Sequence, residues 1–240
     1  MVRGEAMSNL RVLDLFSGIG GFSLGLERTG GFETVAFCEI EPFCRKVLNK
    51  HWPKVPIYDD VRTLTAERLA ADGIGVDVIC GGFPCQSFST ASHGRRVAID
   101  LWPEFLRLTS ELRPSYVMAE NVQELPIRRA ARNLETFGLK TAIRRIGADD
   151  CGADHQRHRW WVCAYPDDES ELYRYIDAEV ELLPQICGRV WGAENYARAV
   201  RISDGIPYRV DRNRALGNSI IPFIPQAFGN AILASVRDAS

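Results

Sequence analysis

Val76-Asp77-Val78-Ile79-Cys80-Gly81-Gly82-Phe83-Pro84-Cys85-Gln86-Ser87-Phe88-Ser89 is an apolar run that breaks into a loop rich in glycine, proline and serine. The run 76–80 reads as a buried parallel strand. The loop therefore starts at the carboxyl end of a strand, where open α/β sheets bind ligands. Pro84 stiffens the chain just before Cys85, and the glycines let other backbone or a substrate come close. The Cys85 thiol reads as an aimed nucleophile rather than as core filling.

Outward from that strand, short apolar runs alternate with amphipathic stretches over the first two thirds of the chain. Strands are predicted at Arg11–Leu15, Thr34–Cys38, Pro56–Tyr58, Val76–Cys80, Ser115–Ala119, Thr141–Ile146 and Trp160–Ala164, with helices at Gly21–Arg28, Pro42–His51 and Leu101–Leu112. This alternation predicts βαβ units and an α/β fold with a mostly parallel sheet. Beyond Pro166 the pattern changes. Residues 167–181 are strongly acidic, periodicity is weak up to Ile206, and an amphipathic helix over Pro222–Val236 closes the chain.

Composition narrows the function classes. The 240 residues carry 29 Lys+Arg and 31 Asp+Glu, a net charge of −2, so global charge does not announce a nucleic-acid partner. The basic residues are nearly all arginine, which suits bidentate phosphate and base contacts. No apolar run is long enough to span a bilayer, and the N-terminus shows no signal-peptide pattern, residues 1–8 reading as an unstructured leader. Seven cysteines without framework spacing fit a reducing cytoplasm. Cys151, His155, His158 and Cys163 match no common zinc spacing, so no metal is expected.

Several strand ends carry chemistry. Asp14-Leu15-Phe16-Ser17-Gly18-Ile19-Gly20-Gly21-Phe22 follows the first strand and opens a helix, with Ser23 where the dinucleotide fingerprint has its third glycine. Such a turn lets backbone amides and a helix N-terminus approach a ligand. A tight strand–helix turn with no ligand is the competing reading. Glu39, about 20 residues on, can accept both ribose hydroxyls of a nucleoside-type cofactor. Asp60 can accept from an adenine amino group, or serve only as a turn residue. Phe16 can stack on adenine or belong to the core. Glu120-Asn121-Val122 puts a carboxyl at another strand end, as a catalytic acid requires. In His155-Gln156-Arg157-His158-Arg159, Arg157 and Arg159 share one face of an extended run, an arrangement suited to an anion or simply to a basic edge strand.

In this order the pieces resemble the cytosine-C5 DNA methyltransferases. Asp14–Phe22 resembles the family's cofactor motif and Gly82–Ser89 its nucleophile motif, nearly letter for letter. Glu120-Asn121-Val122 matches its acid motif, His155–Arg159 its basic motif, and Leu216-Gly217-Asn218-Ser219-Ile220 its last motif. The resemblance covers about residues 9–166 and 203–236. Asp154 and His155 stand where the basic motif usually begins with proline and glutamine. Asp204–Arg212 resembles compact forms in phage- and prophage-type relatives, and the stretch before it is short where longer relatives carry a target-recognition domain.

The resemblance implies a Rossmann-like sheet with helices on both faces, the class I S-adenosylmethionine-dependent fold, with a small reduced second lobe. It implies a catalytic domain over 9–166 plus 207–240 and a recognition-like region over 167–206. It gives Cys85, Gln86, Glu120, Arg157 and Arg159 to catalysis. The S-adenosylmethionine site, which also holds the product S-adenosylhomocysteine, takes Asp14, Phe16, Ser17, Gly18, Gly20, Gly21, Glu39, Ile40, Asp60, Val61, Pro84, Asn218, Ser219 and Ile220. Ser87, Ser89, Arg95 and Arg96 would touch nucleic acid. The implied partner is double-stranded DNA, met by a monomer in the cytoplasm without membrane contact. The implied reaction adds the Cys85 thiolate to C6 of an extruded cytosine so that C5 accepts a methyl group. Three other readings stay open: methylation of tRNA cytosine, a non-catalytic DNA- or cofactor-binding relative, and a nicotinamide oxidoreductase suggested by the glycine turn alone.

Overall fold

The computed structural model describes residues 8–84, 100–153, 155–167, 171–187 and 219–238. Among these, strands β1 (Leu10–Leu15), β2 (Phe32–Cys38), β3 (Ile57–Tyr58), β4 (Val78–Gly82), β5 (Tyr116–Asn121), β6 (Leu139–Ile146) and β7 (Arg159–Pro166) form one sheet in the order β3-β2-β1-β4-β5-β7-β6. The five strands from β3 to β5 are parallel, and β7 runs antiparallel to both β5 and β6. All seven strands coincide with the predicted runs to within a few residues. Strand order reverses at β1, which pairs with β2 on one side and β4 on the other, so the crevice where doubly wound sheets take ligands opens between the ends of β1 and β4.

Side-chain alternation sends two sets of residues to opposite faces. Val12, Val78, Cys80, Tyr116, Met118, Trp161 and Cys163 lie on one face in a single apolar cluster. Helices α1 (Gly21–Glu27), α6 (Leu172–Cys187) and α7 (Phe223–Asp238) cover that face, contributing Phe22, Leu26, Ile176, Leu183, Phe228 and Ile232. Leu13, Leu15, Ile79, Val117, Ala119 and Val162 lie on the other face. It is covered by α3 (Ala66–Ala71), α4 (Trp102–Leu112) and α5 (Glu124–Glu135) through Leu69, Phe105, Leu108, Ile127 and Leu134. Helix α2 (Pro42–His51) starts with Pro42, whose fixed φ and missing N–H suit a first turn, and ends with Trp52 packed edge-on to Phe37. This is the α/β architecture expected from the alternation of runs.

Helix α6 departs from the sequence expectation. The acidic stretch hides a helix whose apolar residues Leu172, Ile176, Leu183 and Cys187 are fully buried against α7 and the sheet. Asp177, Glu179 and Glu181 lie off that stripe, and Arg144 of β6 pairs with Asp177 at 2.6 Å. Among the described residues no helix is long and apolar enough to cross a membrane.

Candidate active site at the carboxyl edge of the sheet

Strand β1 ends in a turn whose backbone is unusual. Phe16 has φ 53°, the left-handed region that non-glycine residues seldom enter, and Gly18 and Gly20 follow at 54° and 85°. The turn is held from three directions. Ser17 Oγ donates to the Asp14 carbonyl at 2.6 Å, and the Gly18 amide donates to Glu39 Oε2 at 2.6 Å. A Cβ on Gly20 would stand 2.7 Å from the Trp52 ring, so only glycine fits there. A Cβ at Gly18 would meet nothing within 4 Å among the described residues, which leaves open space in front of the turn.

Asp14 has no exposed surface. Its Oδ2 accepts from Ser23 Oγ at 2.8 Å and from the Ser23 amide at 3.3 Å, and the Cys80 thiol lies beside the same carboxyl. Ser23, the departure from the dinucleotide fingerprint, thus ties α1 to β1. Burial pushes the Asp14 carboxyl up to about 8, against the Ser23 bonds, which pull it down. It faces Cys80, its register partner on β4, whose thiol is raised well above its ordinary value, first by burial and then by Asp14.

Glu39 leaves β2 almost fully buried. Besides Gly18 it accepts from the Glu41 amide at 2.8 Å, and burial raises its pKa. Ile40 beside it is 58% exposed. A carboxylate next to an uncovered apolar side chain, facing a glycine turn, suits a ribose diol and a flat ring. Asp60 is placed differently from a free acceptor. Arg62 grips both of its oxygens through Nε at 2.9 and 3.0 Å and holds the carboxyl below its ordinary value. Val61 packs into the second core cluster with its side chain buried, and its carbonyl accepts from Arg107. A cavity of about 420 Å³ lies beside Asp60, lined by Arg45, Tyr58, Asp59 and Arg68.

Strand β4 ends at Gly82, leading through Phe83 and Pro84 to Cys85. Cys85, Gln86, Ser87, Ser89, Arg95 and Arg96 lie outside the described residues, as does Asn218. The backbone leading up to Cys85 is braced at Phe83. Phe83 packs on Trp102 at 4.9 Å between ring centres, Trp102 on Phe105 at 5.0 Å, and Phe105 on Phe16 at 6.5 Å, so a ladder of rings joins the glycine turn to the end of β4. Asn121, the last residue of β5, donates to the Phe83 carbonyl at 2.9 Å and accepts from the Gln123 amide at 3.0 Å. The role of Asn121 was not anticipated. The signal available was its place at a strand end, one residue past Glu120 and therefore on the opposite face.

Glu120 pairs in register with Trp161, which puts Arg159, two residues along β7, diagonally across the same face. Arg159 Nε lies 3.1 Å from Glu120 Oε1. Burial raises Glu120 to about 7, with Arg159 and then Arg157 pulling it down. Oε2 points back toward β4, because a Cβ on Gly82 would stand 2.8 Å from it. Arg157 Nη2 donates to the Ser219 carbonyl at 2.8 Å, and burial, then Arg159, lowers the Arg157 pKa. Ile220, next in the chain, lies over Gly21 and 3.7 Å from the Cβ position of Gly82. The structure therefore gathers Glu120, Arg159, Arg157, Ser219, Ile220 and Gly82 at one rim, with the Phe16–Gly21 turn, Glu39 and Ile40 beside them. Among the described residues, the group with metal-ligand spacing is Asp149, Asp150 and His158, at the corner that leads into β7, where Arg159 Nη1 donates to the His158 carbonyl at 2.8 Å.

A buried carboxyl braced by a guanidinium, at the end of the strand beside the one that leads to Cys85 and next to a glycine turn, makes this rim a candidate active site on a doubly wound sheet. The family model for C-5 cytosine-specific DNA methylase matches residues 10–220, and the chain belongs to that family. Type II methyltransferase M.HgiBI of Herpetosiphon aurantiacus is 31% identical over 198 residues, covering 71% of this chain and 44% of that protein. Type II methyltransferase M.Eco47II of Escherichia coli is 37% identical over 142 residues, covering 57% and 32%. A solved structure of a protein encoded within an Escherichia coli prophage, described as a DNA modification methyltransferase, superposes with a TM-score of 0.57 at 34% identity, over 68% of this chain and 48% of that one. The chain spans about half the length, or less, of the relatives it matches.

Proposed function

We propose that this chain is a DNA (cytosine-5)-methyltransferase that acts on a cytosine extruded from double-stranded DNA, as a monomer in the cytoplasm. The observation that carries the reading is the Glu120–Arg159 pair, 3.1 Å apart at the strand end next to the one that leads to Cys85. S-adenosylmethionine, when bound in the groove of Phe16–Gly21, Glu39 and Ile40, supplies the methyl group and leaves as S-adenosylhomocysteine. The groove's buried carboxylate and uncovered Ile40 side chain match its ribose and adenine. Pro84, Asn218, Ser219 and Ile220 complete that side of the site, with Asp14 beneath the turn and Asp60 and Val61 at its far end.

The chain's own residues do the rest. Cys85, as thiolate, forms a bond to C6, and the C5=C6 electron pair moves to C5. Glu120, in its protonated form, donates to N3 and accepts from the exocyclic amine, so the ring gains no full negative charge. Arg159 fixes that carboxyl and faces the ring's developing charge. After methylation water takes the C5 proton, the C5–H electron pair re-forms the C5=C6 bond, and the C6–S bond breaks with its pair returning to sulfur. Extrusion of the base costs a few kcal/mol, which phosphate contacts from Ser87, Ser89, Arg95 and Arg96 offset. Residues 9–166 with 207–240 form the catalytic domain in this reading. Residues 167–206 stand where longer relatives recognise their target, and because α6 is built into the core, 188–206 is the part left to reach DNA.

Bisulfite sequencing of DNA from cells expressing the chain tests this directly. Methylated cytosines in one sequence context, lost with Cys85→Ala while S-adenosylhomocysteine still binds, are the expected result. Methylated cytosines in tRNA but not in DNA, or full activity of Cys85→Ala, would overturn it.

A further inference from the structure

Arg157 stands next to the Glu120–Arg159 pair, and its Nη2 donates to the carbonyl of Ser219, 62 residues along the chain and 2.8 Å distant. Ser219 begins a length of backbone that rests on both halves of the site. A Cβ on Gly21 would stand 2.6 Å from the Ile220 carbonyl oxygen, and one on Gly25 would stand 2.2 Å from the Pro222 carbonyl oxygen. The segment 219–222 thus lies in contact with the first turns of α1, directly behind the glycine turn. Its Ile220 Cδ1 also reaches 3.7 Å from the Cβ position of Gly82, the strand end that leads to Cys85. One guanidinium therefore joins the base side of the rim to a strip of backbone that walls the cofactor side.

The physical chemistry makes this joint stiff. A half-buried guanidinium repelled by Arg159 and attracted by Glu120 needs acceptors, and a backbone carbonyl is a good one. Letting Ser219 go would take one acceptor from the cation in a partly dehydrated place, which is costly. Backbone that is pinned in place before a ligand arrives does not have to be ordered by it.

Resting on the methyltransferase reading above, we infer that Arg157 is a positioning residue. It clasps the 219–222 backbone against the glycine turn and so couples cofactor binding to engagement of the target base. It is Arg159, bonded to Glu120, that faces the ring. Arg157 acts through Ser219, and its loss should show first in cofactor affinity and in the link between the two ligands.

The test uses the whole chain, S-adenosylhomocysteine, and a duplex carrying the sequence found by bisulfite sequencing. Calorimetry gives S-adenosylhomocysteine affinity with and without saturating duplex. Arg157→Gln is expected to weaken binding about tenfold, the ratio set by one charged hydrogen bond, while Arg159→Gln stays within about twofold of wild type. The tightening of S-adenosylhomocysteine binding by duplex, expected to be at least about fivefold in wild type, should vanish in Arg157→Gln and persist in Arg159→Gln. A purely structural role would move neither the coupling nor the contrast between the two arginines.

Wild-type affinity and wild-type coupling in Arg157→Gln would overturn the clasp, as would an equal affinity loss in both variants. A wild-type chain that binds no S-adenosylhomocysteine would overturn the methyltransferase reading and the clasp together, which separates the two failures. Should Arg157→Gln not fold, Arg157→Lys keeps the charge without the fork. An affinity at least about twofold weaker at an unchanged melting temperature then supports the clasp, and wild-type affinity with wild-type coupling overturns it.

Discussion

Asp14→Asn should make this protein less sensitive to alkali. The carboxyl is fully buried under the glycine turn, and burial holds its pKa at about 8. In the unfolded chain it titrates at about 3.9. Between those values the native state keeps a proton that the unfolded state has lost, so stability falls as pH rises. The cost is absent below the unfolded pKa, grows through the window, and is complete once the pH passes the folded value. At about 1.4 kcal/mol per pH unit, levelling near the folded pKa, wild type should lose about 2 kcal/mol more than Asp14→Asn between about pH 6 and about pH 8. An asparagine carbonyl still accepts from the Ser23 hydroxyl and amide, and the other raised carboxyls, Glu39 and Glu120, cancel because both proteins carry them. Urea unfolding at the two pH values measures the difference. Parallel stability curves for the two proteins would refute the reasoning, since they would mean that Asp14 is ionised in the native state.

Gly82→Ala should leave the fold intact and slow methyl transfer by at least about tenfold, because its Cβ meets a movable carboxylate, Glu120 Oε2, at 2.8 Å. Gly81→Ala meets the Leu15 carbonyl oxygen at 2.3 Å and should instead lower the melting temperature, so the pair compared by circular dichroism and single-turnover assay separates site from scaffold. Glu120, raised to about 7, should give the single-turnover rate a descending limb centred near that pH as its proton is lost. Glu120→Gln should lower the rate by about 10² to 10⁴ and abolish the limb, and a limb that survives in the glutamine variant would assign it to another group.

The sheet was legible because each strand is a short apolar run set off by turn residues, and such runs have few other places to go. Helix α6 was not, because its buried stripe of Leu172, Ile176, Leu183 and Cys187 is interrupted by acids and by Pro184 and reads as a polar stretch until α7 is there to receive it. Strand-end positions of Glu39 and Glu120 followed from the run boundaries alone. Their partners did not. Nothing local announces that Arg62 would grip Asp60, that Asn121 would hold Phe83, or that Arg157 would reach Ser219, since the last two pairings exist only once distant segments are adjacent. The Asp60–Arg62 pair is near in sequence, but two-residue spacing in a loop does not specify geometry.

The reversed direction of β7 has a consequence for how such an enzyme can be altered. Its first residue, not its last, arrives at the rim where the parallel strands finish, and Ile146 of β6 stands opposite Arg159 there. Residues added at the exposed Asp149–Asp150 step, ahead of the buried Cys151 and of Arg157, would lengthen the β6–β7 connection and leave the guanidinium where it is. A single residue added inside the paired stretch between Arg159 and Trp161 would turn Arg159 to the other surface of the sheet and bring a neighbour round in its stead. Tolerance and intolerance to insertion thus lie close together in the chain, and a scan of one-residue insertions across this corner would trace the boundary.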